Sequence, residues 1–392
     1  MIELRRKIEA EIRGYGPIPF SRYMELCLYD PEFGYYSRNT SQFGKAGDFF
    51  TSSDVHAVFG RLLAHQFEEM WRVLGSPERI VIRELGPGRG LLAQDVMDWA
   101  EKKFPAFFRS LQYELVEQSA ALRSRIEETL RTHLKSGRST FGTSVTEAES
   151  SLDLIGVTEV APSQSDPTQR DPTIVFANEF FDALPAEILS SLGSLRLDCC
   201  DGRFVETWVA PSAEELEFLD RYSVHPEEAE RLEVTLAAQR TMFSACEIER
   251  GFMVAIDYGY TREEQLRGRH RGTLKAIRRH SVSASPYEAP GEQDITADVN
   301  FTALAAIAQQ RGFAVQKLVT QSQFLLGIGE VNQFADAFAE CRLPQERAKV
   351  ALQLKHLVTP AGMGESFHVL VGSKGVDAEK ASALVGMSFG KR

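Results

Sequence analysis

The chain has 392 residues, 43% of them hydrophobic, and a formal net charge of −11 at pH 7. It is long enough to bury a full core and longer than a minimal α/β domain, while its acidity argues against a nucleic-acid partner. Its five cysteines are scattered without a C-x-x-C pair, which excludes a zinc ribbon and a disulfide framework, and no apolar run is long enough to span a membrane.

Residues 1–9 mix acids and bases with Ile2, Leu4 and Ile8 and read as a short amphipathic helix. Acids at this point are unlike a mitochondrial presequence and no signal-peptide core is present, so a cytoplasmic location is expected. Gly14, Gly16 and Pro17 break the chain, and a second helix over residues 20–29 stops at Asp30 and Pro31. A glycine-rich aromatic loop, Gly47-Asp48-Phe49-Phe50-Thr51-Ser52, precedes a helix in which Val58, Phe59, Leu62, Leu63, Phe67, Met70 and Trp71 recur at helical spacing. Ser52 or Ser53 is placed to cap it.

Next come an apolar run, Ile80-Val81-Ile82, an acid, Glu84, and three glycines at alternate positions, Gly86, Gly88 and Gly90. Helix formers follow from Leu91, so this is a strand, a tight turn and a helix. Such a turn lets the backbone approach a nucleotide-like ligand at a helix N-terminus. The third glycine falls one residue too early for the dinucleotide fingerprint. An acid followed by G-x-G-x-G is instead the pattern of S-adenosylmethionine (SAM) enzymes, whose acid reaches the methionyl amino group.

A second strand over residues 111–116 ends at Glu117, before a helix over 119–133. In a SAM fold, an acid here accepts hydrogen bonds from both ribose hydroxyls, although alone it reads equally as a carboxylate at a helix start. After a third strand at 139–142, residues 143–172 are polar and proline-containing and read as a surface loop. The fourth strand, 174–177, runs into Asn178-Glu179-Phe180-Phe181-Asp182-Ala183-Leu184-Pro185. Polar groups at the carboxyl end of a buried parallel strand lie where open α/β sheets bind their ligands.

Extended pieces at 186–189, 194–198 and 203–209 follow, the last two joined by the hairpin signal Asp201-Gly202. Residues 213–250 read as helical with a break near Pro226, and Leu232, Leu236, Met242, Phe243 and Cys246 form one stripe. The fifth strand is 251–258. An arginine-rich segment over 262–279 reads as an anion site, a solvated loop or a clamp on an acidic surface. A helix at 302–310, a strand at 313–318, helices over 332–357 and a strand at 367–372 complete the chain. The expected architecture is α/β, a seven-stranded, mostly parallel, doubly wound sheet. An N-terminal helical extension covers 1–77 and the core 78–392, with an inserted hairpin and helical cap at 186–250 and a helical insertion at 330–360.

Gly34-Tyr35-Tyr36, Gly47-Asp48-Phe49-Phe50-Thr51-Ser52, the glycine turn from Glu84 to Gly90, the Asn178 to Pro185 segment, Ile256-Asp257-Tyr258-Gly259-Tyr260 and Asp294-Ile295-Thr296-Ala297-Asp298 stand in this order. On these residues the chain resembles the MidA family of SAM-dependent methyltransferases, which includes mitochondrial complex I assembly factor 7. The resemblance implies a Rossmann-like class I methyltransferase fold, SAM as cofactor, and methylation of a protein arginine, with a respiratory-complex subunit as the expected acceptor. Cofactor contacts are expected from Glu84, Gly86, Pro87, Gly88, Gly90 and Glu117, and from Gly47, Asp48 and Thr51 in the loop, with Phe49 excluding water.

A guanidinium acceptor arrives charged and needs carboxylates to grip it while it loses a proton. Asn178, Glu179 and Asp182 are the catalytic candidates, with Glu179 orienting the acceptor nitrogen and Asn178 accepting a hydrogen bond near the methyl group. Asp182 reads equally as a cap of the following helix, and Phe180 and Phe181 as core. Asp257, Tyr258, Gly259, Thr296 and Asp298 are further candidates for the walls. A SAM-binding assembly factor with little turnover, and a small-molecule or lipid methyltransferase, remain open at this point.

Overall fold

A computed structural model describes residues 2–38, 57–142, 171–278 and 281–390. The Gly47 to Ser52 loop, with the expected contacts Gly47, Asp48 and Thr51, lies outside the described residues, as does most of the 143–172 segment.

The central sheet is built on β1 (Ile80–Leu85), β2 (Leu111–Val116), β3 (Ser139–Phe141), β4 (Thr173–Asn178), β5 (Gly251–Tyr260), β6 (Ala314–Val315) and β7 (Phe367–Lys374). Their spatial order is β6-β7-β5-β4-β1-β2-β3. The strands β3, β2, β1, β4 and β5 run parallel, while β7 is antiparallel to both β5 and β6. Two further short strands, Val299–Asn300 on β5 and Val319–Thr320 on β7, make it, among the described residues, a nine-stranded mixed sheet rather than one of seven strands. The middle strand β4 is buried along nearly its whole length, as a parallel strand covered on both faces must be.

Helices cover both faces. On one lie α1 (Val58–Val73) and α2 (Leu91–Lys103), whose apolar stripes meet Ile80, Ile82, Phe176 and Val254 in one core. The Phe67 ring of α1 meets Phe176 of β4 edge-on at 5.3 Å, a contact worth about 0.5–1.5 kcal/mol beyond its buried area. On the other face, α3 (Leu236–Ala245) and α4 (Phe301–Gln310) pack Met242, Leu304 and Ala308 against Val175, Met253 and Ala255.

A second sheet carries the antiparallel hairpin Gly193–Cys200 and Arg203–Val209, with Cys200 opposite Arg203. The two linking residues, Asp201 at φ 49° and Gly202 at φ 70°, have the positive φ values that a two-residue hairpin turn demands. The N-terminal helices Ile2–Tyr15 and Phe20–Tyr29 pack Leu4, Ile8, Phe20 and Met24 against this hairpin.

The structure differs from the sequence reading in four places. The interval 223–235 is not helical: Leu232–Val234 is a strand on the edge of the second sheet, paired with Glu187–Ser190. Leu232 is therefore buried by strand pairing, and Phe243 lies off the stripe, 44% exposed. A helix at Gln321–Glu330 was not expected, because its sequence is rich in Gln and Gly; a capping box at Thr320 and Gln323 starts it. Residues 331–340 are turns, and the following helix is Pro344–Val358 alone.

Within the arginine-rich segment, Arg267, Arg271 and Arg278 clamp acids of the same protein, Arg267 on Glu263 and Arg278 on Glu292. Arg271 bonds Glu227 and Glu230, and Arg262 donates to the Ser223 carbonyl. No helix among the described residues is long and apolar enough to cross a membrane.

Candidate active site

The carboxyl ends of β1, β2 and β4 open into one cavity of about 660 Å³, within the usual range for a small-molecule site. Glu84, Gly86, Pro87, Gly88 and Glu117 line it together with Asn178, Glu179 and Asp182. Carboxylates outnumber arginines on its lining.

The glycine turn has the geometry its spacing called for. Gly86, at φ 62°, would drive a Cβ to within 2.6 Å of the Phe180 ring. Gly88, at φ 56°, has no protein atom within 4 Å of where a Cβ would stand. A side chain there would project into the cavity. Gly90 adopts the left-handed conformation at the head of α2 but is not itself on the cavity lining.

Glu84 is buried at the end of β1 and accepts a hydrogen bond from the Tyr113 hydroxyl at 2.9 Å. Burial pushes its pKa up to about 7, against the lowering effect of that hydrogen bond. Glu117 accepts the backbone N–H of Ser119 at 2.8 Å, and burial raises its pKa to about 7 as well. Ser119, rather than Glu117, caps the next helix through a bond from the Leu122 N–H.

At the end of β4, the main chain turns sharply. Asn178 is in register with Ile256 of β5, and Glu179 donates its N–H to the Ile256 carbonyl at 2.9 Å. Glu179 has φ 50°, a conformation that non-glycine residues adopt at a cost and that tends to mark functional sites. The fully buried Asp257 holds the turn: one oxygen accepts the N–H groups of Phe180 at 3.1 Å, Phe181 at 3.0 Å and Asp182 at 3.4 Å. Burial, and then the carboxylates of Asp182 and Glu179, raise the Asp257 pKa well above the usual range.

The same turn orients the three catalytic candidates. The Asn178 amide donates to Glu179 Oε1 at 3.2 Å, leaving its own oxygen buried without a partner. Asp182 is 5% exposed and accepts the Tyr258 hydroxyl on Oδ2 at 2.5 Å, while Oδ1 is buried with no partner. Burial raises its pKa to about 6, opposed by the Tyr258 hydrogen bond. Asp182 lies within a single 3-10 turn, Phe181–Ala183, and does not cap a helix.

Two cavity residues had no role assigned from sequence. Tyr29, at the end of Phe20–Tyr29, and Tyr36 stack at 5.6 Å and 29°. Tyr36 donates to Asp294 Oδ1 at 3.0 Å, and Tyr29 to the Ala183 carbonyl at 2.9 Å. Tyr36 was visible as part of a motif, but nothing local indicates that residues 29 and 36 reach a sheet edge formed far along the chain. Asp298, expected on a wall, is engaged by Lys275 and His270 and is not on the lining.

A glycine turn ending a parallel strand, an acid at the end of that strand, another at the end of the next, and an open cradle between them define a SAM-dependent methyltransferase. Comparison with known proteins gives the particular family: residues 62–319 match the model of putative S-adenosyl-L-methionine-dependent methyltransferases, and the chain belongs to that family. It is 30% identical to the Drosophila melanogaster protein arginine methyltransferase NDUFAF7 homolog, mitochondrial, over 95% of this chain and 85% of that protein. Identity to the human protein arginine methyltransferase NDUFAF7, mitochondrial, is 27%, over 93% and 81% of the two chains.

Among solved structures, a candidate methyl transferase from Burkholderia thailandensis, bound to S-adenosyl-homocysteine, superposes with a TM-score of 0.79 at 28% identity, covering 97% of this chain and 94% of that one. The cytoplasmic location expected from sequence is corrected by these relatives, since the curated ones are named mitochondrial proteins. The acids near the start that prompted that expectation belong to a folded helix, where Glu3 pairs with Arg6, Glu9 with Arg5 and Glu11 with Arg22.

Proposed function

We propose that this enzyme transfers the methyl group of SAM to a guanidinium nitrogen of a protein arginine. The observation that carries the reading is the strained turn at Glu179, which aims Asn178, Glu179 and Asp182 into the same cavity as the glycine turn. The arginine methyltransferase names of the relatives support the same acceptor class, and the resemblance noted above makes respiratory-complex subunits the first acceptors to try.

Glu84 is suited to pair with the cofactor's amino group and Glu117 to accept from its ribose hydroxyls, with Gly86, Pro87 and Gly88 bordering the chain between them. When bound, SAM supplies an electrophilic methyl group, and the remaining work is positioning and desolvation. Glu179 would grip the acceptor through charge-assisted hydrogen bonds, and the Asn178 oxygen would accept one beside the reacting nitrogen. Asp182 Oδ1, unpartnered and with its pKa raised toward neutrality, is suited to take the proton that the guanidinium loses. In this reading the N-terminal helix Phe20–Tyr29 and the 186–250 insertion, which both contribute to the cavity lining, form the acceptor side of a fold of the Rossmann-like class I type.

The test is S-adenosylhomocysteine production with arginine-bearing subunit peptides, and mass spectrometry of the product. Methylarginine formed by the native enzyme and lost in Glu179→Gln, with SAM affinity retained, is the expected result. Full turnover by Glu179→Gln would remove its assigned role, and methylation confined to lysine or to a small molecule would overturn the acceptor.

A further inference from the structure

We infer that Tyr29 and Tyr36, backed by Asp182 and Asp294, form the subsite that selects a planar guanidinium, with the stacked rings acting as a cation–π wall. This rests on the arginine reading above and deepens it.

All four residues line the one cavity. The two rings are stacked on each other, and each hydroxyl is already committed: Tyr36 to Asp294 Oδ1 at 3.0 Å and Tyr29 to the Ala183 carbonyl at 2.9 Å. Fixed in this way, the tyrosines contribute their bodies rather than free hydroxyls to the cavity. The Ala183 carbonyl stands next to Asp182, which lines the cavity and whose buried Oδ1 has no hydrogen-bond partner. An acceptor-only oxygen in a buried setting calls for a donor, and a flat aromatic face beside carboxylates favours a cation.

Of the cationic side chains, guanidinium suits the arrangement better than ammonium. It is weakly hydrated, stacks on aromatic faces, and presents several N–H donors in one plane. Burial, and then the neighbouring carboxylates, hold both tyrosine pKa values well above the ordinary one, so the rings stay neutral.

The competing source of positive charge is the sulfonium of SAM. The two are separated by binding measurements on the S-adenosylhomocysteine-loaded protein, with acetyl-arginine amide as probe and the uncharged isostere acetyl-citrulline amide and acetyl-lysine amide as controls. The native protein is expected to bind the arginine probe in preference to both controls. Tyr29→Leu and Tyr36→Leu should weaken it by roughly 3- to 30-fold, while Tyr29→Phe and Tyr36→Phe keep most of the affinity because the ring faces remain. Dissociation constants for SAM and for S-adenosylhomocysteine should be unchanged in all four variants, which also reports that they fold.

Weaker SAM binding with unaltered S-adenosylhomocysteine binding in the leucine variants would assign the wall to the sulfonium and overturn the proposal. Unaltered arginine-probe affinity in those variants would overturn it too, even if the enzyme methylates arginine. Ring-dependent probe binding without methylarginine formation would keep the subsite and overturn the proposed reaction instead.

Discussion

The carboxylate of Asp257 accepts the backbone N–H of Phe181 at 3.0 Å from within a fully buried position at the end of β5. Through the same oxygen it reaches Phe180 and Asp182, and so sets the path of the chain that bears the candidate catalytic side chains. The strain at Glu179 persists because this neighbour holds the following residues. Replacing Asp257 with Ala leaves buried N–H groups without an acceptor, and a loss of stability on the order of 2–4 kcal/mol is expected. Chemical denaturation measures it, and S-adenosylhomocysteine binding assayed below the transition should survive. A stability change under about 0.5 kcal/mol would mean the turn is held by something other than Asp257.

No protein atom lies within 4 Å of where a Cβ at Gly88 would stand, so the proposed cofactor site is tested there with little interference from packing. Gly88→Val is expected to abolish SAM binding in isothermal titration. A valine at φ 56° also carries backbone strain, so a modest destabilisation of roughly 1–3 kcal/mol accompanies it. Retained SAM affinity in a folded variant would dismiss the glycine turn as the cofactor site.

Much of this site could be read from the chain, since a glycine turn and strand-end acids are local patterns. The Ile80 to Gly90 stretch encodes strand, turn and helix within a few residues, and β4 announces itself by a continuous apolar run. What could not be read is what depends on long-range registration. Nothing near Asp257 in sequence says that its carboxylate meets residues 180–182, and Tyr113 reaches Glu84 only because β1 and β2 pair with Ile82 opposite Tyr113. The strand at Leu232–Val234 was hidden for the related reason that its partner lies some forty residues earlier, on the edge of a separate sheet.

Affinity for the cofactor should depend on pH near neutrality. Burial raises Glu84 and Glu117 from an ordinary 4.5 to about 7. Each group therefore favours the folded state of the free enzyme fully below the unfolded pKa, and that contribution fades as pH rises through the folded one. For Glu84 it is on the order of 3 kcal/mol. Pairing with the cofactor's ammonium requires the ionised carboxylate, so SAM binding should tighten between pH 6 and about 7.5, where the α-amino group still holds its proton. Titrations across that range should show the slope, and Glu84→Gln should reduce it, leaving the part that Glu117 contributes. An unchanged pH profile in that variant would separate Glu84 from the amino group.

Tyr258 offers a finer test of Asp182, because it tunes that carboxylate without lying on the cavity lining. Its hydroxyl bond at 2.5 Å stabilises the ionised form and so lowers a pKa that burial alone would push higher than about 6. Tyr258→Phe removes the donor and keeps the ring against Phe367, 5.5 Å away. If Asp182 must be ionised to take the acceptor's proton, the acid limb of kcat/KM should move to higher pH in this variant, with the plateau rate at high pH largely recovered. Asp182→Asn, which cannot take a proton, should lose turnover at every pH while S-adenosylhomocysteine affinity is kept. An acid limb that stays in place in Tyr258→Phe, alongside an active Asp182→Asn enzyme, would reduce Asp182 to a packing and orientation role and leave proton removal to Glu179 or to water.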